Sequence, residues 1–214
     1  MLLPERYQEY LHVFSKKKAD TLPKHRPQDH TIYLKEGAQA PAFTLYSMSH
    51  NEAQELHYYL DENLSKEFIW VSHSESAAPV LFVKKPEGGL CFCVDYRGLN
   101  AVTVKNWYSL SLISETLNCL SRVKIFIKLD IITAFNQLCI RERDESLIMF
   151  HTHLELFKYL VMLFGLCNEP ASFQNYINNT LREYLNDFCT VYLDDILIYS
   201  DNEAEHEIHI KCVL

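Results

Sequence analysis

The run Val191-Tyr192-Leu193-Asp194-Asp195-Ile196-Leu197-Ile198-Tyr199-Ser200 sets two adjacent carboxylates between two short apolar, β-prone segments. Each segment is long enough for a strand and too short for an ordinary helix, so the pattern predicts a hairpin with Asp194 and Asp195 at its tight bend. Like charges that close repel, which raises a carboxyl pKa unless a cation joins them. A hard divalent ion with oxygen ligands is the natural cation. An ordinary solvated turn also accommodates two Asp residues, so a third carboxylate is the deciding feature. Ile125-Phe126-Ile127-Lys128-Leu129-Asp130 offers it as a buried-type strand ending in an acid, with Ala134-Phe135 close behind. One acid at a strand end and two at a hairpin tip can converge on a pair of Mg2+ ions, with Mn2+ as a substitute. Such a pair lowers the pKa of an attacking hydroxyl and neutralises charge on a transferring phosphate. Phosphoryl transfer asks the protein mainly for positioning and charge stabilisation. With basic residues upstream to hold a triphosphate, the constellation implies nucleotidyl transfer.

The charge distribution fits that chemistry better than the total. The 214-residue chain carries a formal net charge of −8, which by itself argues against a nucleic-acid partner. From Pro79 to Lys128, however, seven basic residues (Lys84, Lys85, Arg97, Lys105, Arg122, Lys124, Lys128) face three acids (Glu87, Asp95, Glu115). From Glu183 to Leu214 there are eight acids and one base, Lys211. A basic middle can hold phosphates while an acidic end holds metal, although both are equally compatible with solvated faces.

At 48% apolar residues and 13% aromatic, the chain is expected to be globular. Only 5 Gly disfavour a Gly-rich phosphate cradle, and no run approaches the ~20 apolar residues of a membrane span. Met1 to Tyr10 carries acids and Pro where a signal peptide needs a basic and then an apolar stretch. The 7 Cys form no Cys-x-x-Cys pair and read as reduced thiols of an intracellular protein, cytoplasmic or nuclear, rather than a disulfide frame or a zinc site. His206 with His209, and His151 with His153, are assigned surface or packing roles for want of a third ligand nearby in sequence.

The elements that would position the acids follow in order. A short helix is expected near Glu5 to Phe14, then an extended arm with a solvated Lys16-Lys17-Lys18 run. Ser49-His50-Asn51-Glu52 fits a capping box and opens a helix carrying Ala53, Leu56, Leu60 and Leu64 to about Ser65. Pro79 to Lys85 and Leu90 to Asp95 read as a hairpin about the turn Pro86-Glu87-Gly88-Gly89. After Asn106 a loop leads to a helix holding Ile113, Leu117 and Leu120. Ser146 to Thr152 and Phe157 to Met162 read as two strands. Asn168 can cap a helix with Pro170 in its first turn, and Phe173, Ile177, Leu181, Tyr184 and Phe188 extend it to about Asp187. A short acidic helix, Glu203 to Val213, closes the sequence. Without βαβ regularity the layout is α+β.

These residues carry a resemblance that covers nearly the whole chain. Leu22-Pro23-x-His25-Arg26-Pro27-x-Asp29-His30, Phe82-Val83-Lys84-Lys85 and Cys93-Val94-Asp95-Tyr96-Arg97-x-Leu99-Asn100 are followed by Lys128-Leu129-Asp130 with Ala134-Phe135. Phe164-Gly165-Leu166-x-Asn168-x-Pro170-Ala171-x-Phe173-Gln174 and Tyr192-Leu193-Asp194-Asp195-Ile196-Leu197 complete the series. In this order the motifs resemble the reverse transcriptase of gypsy-class LTR retrotransposons. The resemblance implies a right-hand polymerase with residues 1–50 as a lead-in arm, 51–105 and 139–168 as fingers, and 106–138 and 169–214 as palm. It implies Asp130, Asp194 and Asp195 as the metal-binding acids of an RNA-directed DNA polymerase. Lys84 or Lys85 would touch the triphosphate. Phe135 would pack under the deoxynucleotide sugar and exclude a 2′-hydroxyl, and Phe164 and Gly165 would line the nucleotide pocket. Arg97, Asn100, Lys105 and Gln174 would meet template and primer. The implied partners are an RNA or DNA template-primer, deoxynucleoside triphosphates and other segments of a polyprotein.

The departures from the family pattern define a second expectation. Cys91 stands where the family usually has an Arg that stacks on the incoming base, and a thiol supplies neither a fixed charge nor a guanidinium plane. Glu67 and Glu155 stand at usual Gly positions, Glu169 at a small residue, Leu163, Glu75, Ser109 and Ser111 at prolines, and Cys167 at a Thr. His151 and His153 replace basic residues, and Leu147-Ile148-Met149 a Lys-Thr-Ala run. With Leu214 just past the hairpin, a thumb is expected to be absent, which weakens the grip on phosphates. A catalytically inactive remnant, or a weak nucleic-acid-binding protein, is therefore the alternative.

Overall fold

The structure is a computed structural model describing residues 3–41, 44–73, 77–86, 88–108, 120–121 and 123–214. Its helices are α1 (Lys16–Ala19), α2 (His50–Ser65), α3 (Arg97–Val102), α4 (Glu169–Thr180) and α5 (Glu203–Val213). Its strands are β1 (Ile69–Val71), β2 (Ala78–Lys84), β3 (Leu90–Val94), β4 (Ile125–Asp130), β5 (Phe150–His151), β6 (Leu156–Tyr159), β7 (Cys189–Tyr192) and β8 (Asp195–Ser200). The chain divides into one compact unit of Met1–Asp20, Trp107–Ala134 and Pro170–Leu214, and another of Thr21–Asn106 and Phe135–Glu169. The helix expected to carry Ile113 and Leu117 lies outside the described residues, as do Glu75, Glu87, Ser109, Ser111, Glu115 and Arg122.

The unit containing residues 21–106 is built on a five-stranded sheet of order β1-β6-β5-β2-β3. Only β2 and β5 pair in parallel; the other neighbours are antiparallel. The predicted hairpin is β2–β3, registered from Val80 opposite Val94 to Lys84 opposite Leu90. Its turn needs left-handed backbone at Gly88 (φ 92°) and Gly89 (φ 86°), which only glycine adopts without strain. Helix α2 begins as expected: the Ser49 hydroxyl accepts the Glu52 N–H, and the Glu52 carboxylate accepts the Ser49 N–H at 2.7 Å. Its buried Leu56 and Leu60 face β1 and β3. The core continues through aromatic contacts of Phe92 with Tyr59 and Phe150, and of Phe150 with Phe157. Past α2, Glu67 sits at φ 59°, so a side chain at this usual glycine position costs on the order of 1 kcal/mol.

The other unit holds the antiparallel sheet β4-β8-β7, backed by α5. Buried Ile210 and His206 anchor that helix, and the Ser200 hydroxyl lies 2.9 Å from His206 Nδ1 and 2.8 Å from His209 Nδ1. His209 also stacks on Phe188 at 3.9 Å, so of the surface or packing roles expected for this His pair it takes packing.

Four expectations change. Ser146 to Met149 is not strand: Glu145–Leu147 is a 3-10 turn, closed by the Leu147 N–H on the Asp144 carbonyl, and β5 begins only at Phe150. Helix α4 stops at Thr180 rather than near Asp187. Beyond it the chain turns through Asn186 (φ 65°), so Tyr184 and Phe188 pack on each other from a turn instead of a helix face. The first helix is a 3-10 segment, Glu5–Tyr10, and the triple Lys forms most of α1. Strand β4 alternates between half-buried and exposed residues, with Phe126 62% exposed, so it is not the buried-type strand its composition suggested.

Candidate active site

Asp130 ends β4 and Asp195 opens β8, and the two face each other directly in the antiparallel register. Tyr192 pairs with Asp195 across the β7–β8 hairpin, leaving Leu193 and Asp194 as a two-residue loop. Such loops match the strand twist when the backbone turns left-handed, and Leu193 does so at φ 54°. Leucine there costs on the order of 1–3 kcal/mol, so the surrounding structure must enforce the bend. Gln174 of α4 does this. Its Oε1 accepts the Leu193 N–H at 2.8 Å, and its Nε2 donates to the Val191 carbonyl at 3.1 Å. The Ile131 N–H donates to the Asp194 carbonyl at 2.9 Å, tying the end of β4 to the same turn. Val191 and Ile198 beneath are fully buried, so the acids stand on a rigid base.

Gln174 itself is fully buried, so it does not face a template or primer as the resemblance implied; it positions the hairpin. Gln174→Ala strands two backbone groups and is expected to cost about 1–3 kcal/mol. Thermal melts would show that loss, and amide exchange at Leu193 should speed up more than exchange in β2 or β3. Equal exchange changes in both sheets would refute a specific role at the turn.

The cation required between the like charges comes from the chain. Lys128 Nζ lies 3.1 Å from Asp130 Oδ1 and 3.0 Å from Asp195 Oδ1. Lys128 and Asp130 are two apart in β4 and so share a face, a signal that strand alternation contains. The Asp195 carboxyl hydrogen-bonded to it, and then the Lys128 ammonium, hold Asp130 below the usual carboxylate range. Asp195 and Asp130 in turn raise the pKa of Lys128. Asp130 and Asp195 thus already converge on one positive charge, with Asp194 next in sequence and every donor an oxygen. That donor set fits Mg2+ or Mn2+.

The other candidate residues lie in the second unit. Lys84 and Lys85 are exposed and line an open cleft of about 390 Å³ with Ser49, Glu52, Gly88 and Gly89. Phe135 is 6% exposed and meets the 73%-exposed Phe164 edge to face, ring centres 4.7 Å apart. Gly165 takes φ 109°, while a Cβ there would meet nothing closer than 3.7 Å, so backbone conformation rather than crowding demands glycine. Asn100 secures this turn: its Nδ2 donates to the Gly165 carbonyl at 2.6 Å and its Oδ1 accepts the Cys167 N–H at 2.8 Å. Arg97 is exposed but forked onto Asp95 at 2.8 and 2.6 Å, which holds the Asp95 carboxyl well below its usual range. Lys105 is exposed, and so is Cys91 on β3, opposite Val83. Asn168 spends its side chain on Val104 and Asn106 rather than on capping α4.

A family model for the reverse transcriptase (RNA-dependent DNA polymerase) matches residues 83–214. The Transposon Tf2-3 and Tf2-7 polyproteins of Schizosaccharomyces pombe are each 33% identical over 213 residues, which is 99% of this chain and 16% of theirs. The chain therefore spans about a sixth of the length of these curated relatives. Among solved structures, a prototype foamy virus protease-reverse transcriptase superposes with a TM-score of 0.72 at 23% identity, covering 99% of this chain and 29% of that one. A foamy viral protease-reverse transcriptase in complex with double-stranded DNA gives 0.72 at 18% identity, covering 99% and 38%. These likenesses show an α+β reverse transcriptase fold of fingers and palm. With the family model matching more than half of its length, this chain belongs to the reverse transcriptase (RNA-dependent DNA polymerase) family.

Proposed function

We propose that this chain is the polymerase core of a retrotransposon polyprotein, an RNA-directed DNA polymerase of an intracellular element. The observation that carries the reading is the register of Asp130 against Asp195, with Asp194 on the adjoining turn. In the reaction, the primer 3′-oxygen attacks the α-phosphorus of a deoxynucleoside triphosphate, loses its proton and expels pyrophosphate. Asp130, Asp194 and Asp195 would hold Mg2+ ions, with Mn2+ as a substitute; bound there, such ions would lower the hydroxyl pKa and offset the phosphate charge. Asp130, kept ionised by its neighbours, is ready as a ligand across the neutral range.

The sheet around Asp130 and the Asp194–Asp195 hairpin is assigned to the palm (106–138 and 169–214). The β2–β3 hairpin, with residues 51–105 and 139–168, is assigned to the fingers. Lys84 or Lys85 touches the triphosphate, Phe135 screens the sugar, and Phe164 and Gly165 line the nucleotide pocket. Arg97, Asn100 and Lys105 serve the template and primer, Asn100 through the turn it holds. The foamy viral relative in complex with double-stranded DNA supports a duplex as partner. No helix among the described residues is long and apolar enough to cross a membrane.

Cys91 favours the other reading, an inactive copy. It is exposed on β3 and brings no fixed charge to the position where an Arg is usual. Primer extension on an RNA template decides between them. The active reading expects extension with Mg2+ and deoxynucleotides, and none after chelation. A folded chain that extends nothing at high protein and low salt would mean that this chain alone is not a working polymerase, and the inactive copy would then lead.

A further inference from the structure

We propose that His25, Asp29 and Cys139 form a zinc site, separate from the carboxylates at Asp130, Asp194 and Asp195. The inference does not depend on the proposed polymerase activity. One ligand-type atom from each of the three side chains lies within 4.8 Å of the other two. His25 Nδ1 is 2.5 Å from Asp29 Oδ2. The Arg26 N–H fixes the other carboxylate oxygen, Oδ1, at 3.0 Å. Cys139 is buried, and its thiol donates to the Pro23 carbonyl at 3.2 Å, across 116 residues of sequence.

Two backbone hydrogen bonds hold the segments together without a metal. The His30 N–H donates to the Cys139 carbonyl at 2.8 Å, and the Arg141 N–H donates to the His30 carbonyl at 2.9 Å. The donors are therefore preorganised by a parallel bridge, His30 to Ile140, and not by the metal alone. Zinc bonds of about 2.0–2.3 Å put tetrahedral ligand atoms ~3.3–3.6 Å apart. The Nδ1–Oδ2 pair must open from 2.5 Å, and His25, about half exposed, can move to allow it.

The donor set selects the ion. Thiolate, imidazole and carboxylate suit borderline-soft zinc, whereas Mg2+ takes oxygen ligands. Without a cation, the Cys139 sulfur carries its proton toward the Pro23 carbonyl. Zinc would replace that proton, releasing it to solvent, and water would complete the coordination. Glu142 Oε1 lies 4.0 Å from His25 Nε2, an ion-pair separation rather than a hydrogen bond. The ion would then clip the segment around residues 23–29 to the one at 139. Such closure of a long loop is where a metal contributes most to stability.

The test uses the full chain, reduced and stripped of metal, titrated with Co2+ as a spectroscopic probe and then with Zn2+. The expected result is one equivalent of Co2+ with a thiolate charge-transfer band in the near ultraviolet, abolished by Zn2+. Zn2+ should also raise Tm. Cys139→Ser should remove the band, and His25→Ala, at an exposed position, should weaken binding at least about tenfold without unfolding the chain. Cys91→Ser should leave the band intact. A folded parent that gives no band would overturn the proposal, and so would a band that survives Cys139→Ser or disappears with Cys91→Ser.

Discussion

Asp130→Asn is expected to slow single-turnover primer extension by at least about a thousandfold, or ~4 kcal/mol of barrier, while leaving the fold unchanged. The two halves of this expectation have separate causes. The Asp130 side chain is 74% exposed at the end of β4, and the amide is nearly isosteric, so packing does not change. Surface replacements of that kind shift stability by less than about 0.5 kcal/mol. The charge matters for chemistry instead, because in the proposed site one of three oxygen ligands of a divalent ion loses its anion. Metal-assisted stabilisation of transition-state charge is worth several kcal/mol, and the loss should fall on the chemical step. Asp194→Asn should behave in the same way, whereas Asp195→Asn provides the informative comparison. Asp195 shares Lys128 with Asp130, so its loss removes a ligand and leaves the ammonium paired to Asp130 alone. Rapid-quench extension and Mn2+ binding by paramagnetic resonance, run beside thermal melts, separate these effects. Extension by Asp130→Asn within tenfold of the parent, with an unchanged melt, would show that Asp130 does not hold the metal.

The pairing of Asp130 with the Asp194–Asp195 hairpin was legible because each belongs to a strong local pattern. A short β-prone run fixes which way a strand end points, and two such runs flank Asp194 and Asp195. The boundaries of α2 and α5 were legible for a similar reason. The Ser49–Glu52 capping box starts one, and Asn202, whose side chain accepts the Glu205 N–H, starts the other. The pattern misled where apolar spacing outlasted the element. Leu181, Tyr184 and Phe188 keep a helical period after α4 has ended, because a turn that packs on itself also needs apolar side chains. Gln174 shows a different limit. An amide inside an amphipathic helix looks like a surface residue or a ligand contact, and only the fold reveals two unpaired backbone groups waiting for it. The His25–Asp29–Cys139 cluster was illegible for want of spacing. Zinc motifs are read from ligands a few residues apart, and here the sulfur comes from a distant segment brought in by one bridge.

Glu169→Gln should stabilise the chain above pH 7 and make no difference near pH 4.5. Glu169 is buried where a small residue is usual, and burial raises its pKa from 4.5 to about 7 against the lowering pull of the Leu166 and Gly165 amides. A carboxyl raised on folding favours the folded state fully below its unfolded pKa. That contribution is lost as pH rises from about 4.5 to about 7. At ~1.4 kcal/mol per pH unit the ceiling is near 3 kcal/mol, and residual solvent screening brings the expected effect to about 1–2 kcal/mol. The Gln amide oxygen keeps an acceptor for the Leu166 N–H, which the carboxylate now accepts at 3.1 Å. A gain of that size corresponds to a Tm rise of about 2–8 °C at pH 8 for a chain this long.

His30 runs the other way. Burial lowers its pKa from 6.5 to about 4, opposed by the nearby Asp144 charge, so it contributes stability above pH 6.5 that is lost as pH falls toward 4. In the parent the two groups offset each other between about pH 4.5 and 6.5, and the melting profile should be shallow there. Glu169→Gln leaves His30 unopposed, so its Tm should fall more steeply than the parent's as pH drops through that window. The two curves should converge at the acid end. Parallel curves from pH 4.5 to 8 would mean that Glu169 is already ionised and solvated in the folded chain, and that the buried carboxyl is not what tunes its stability.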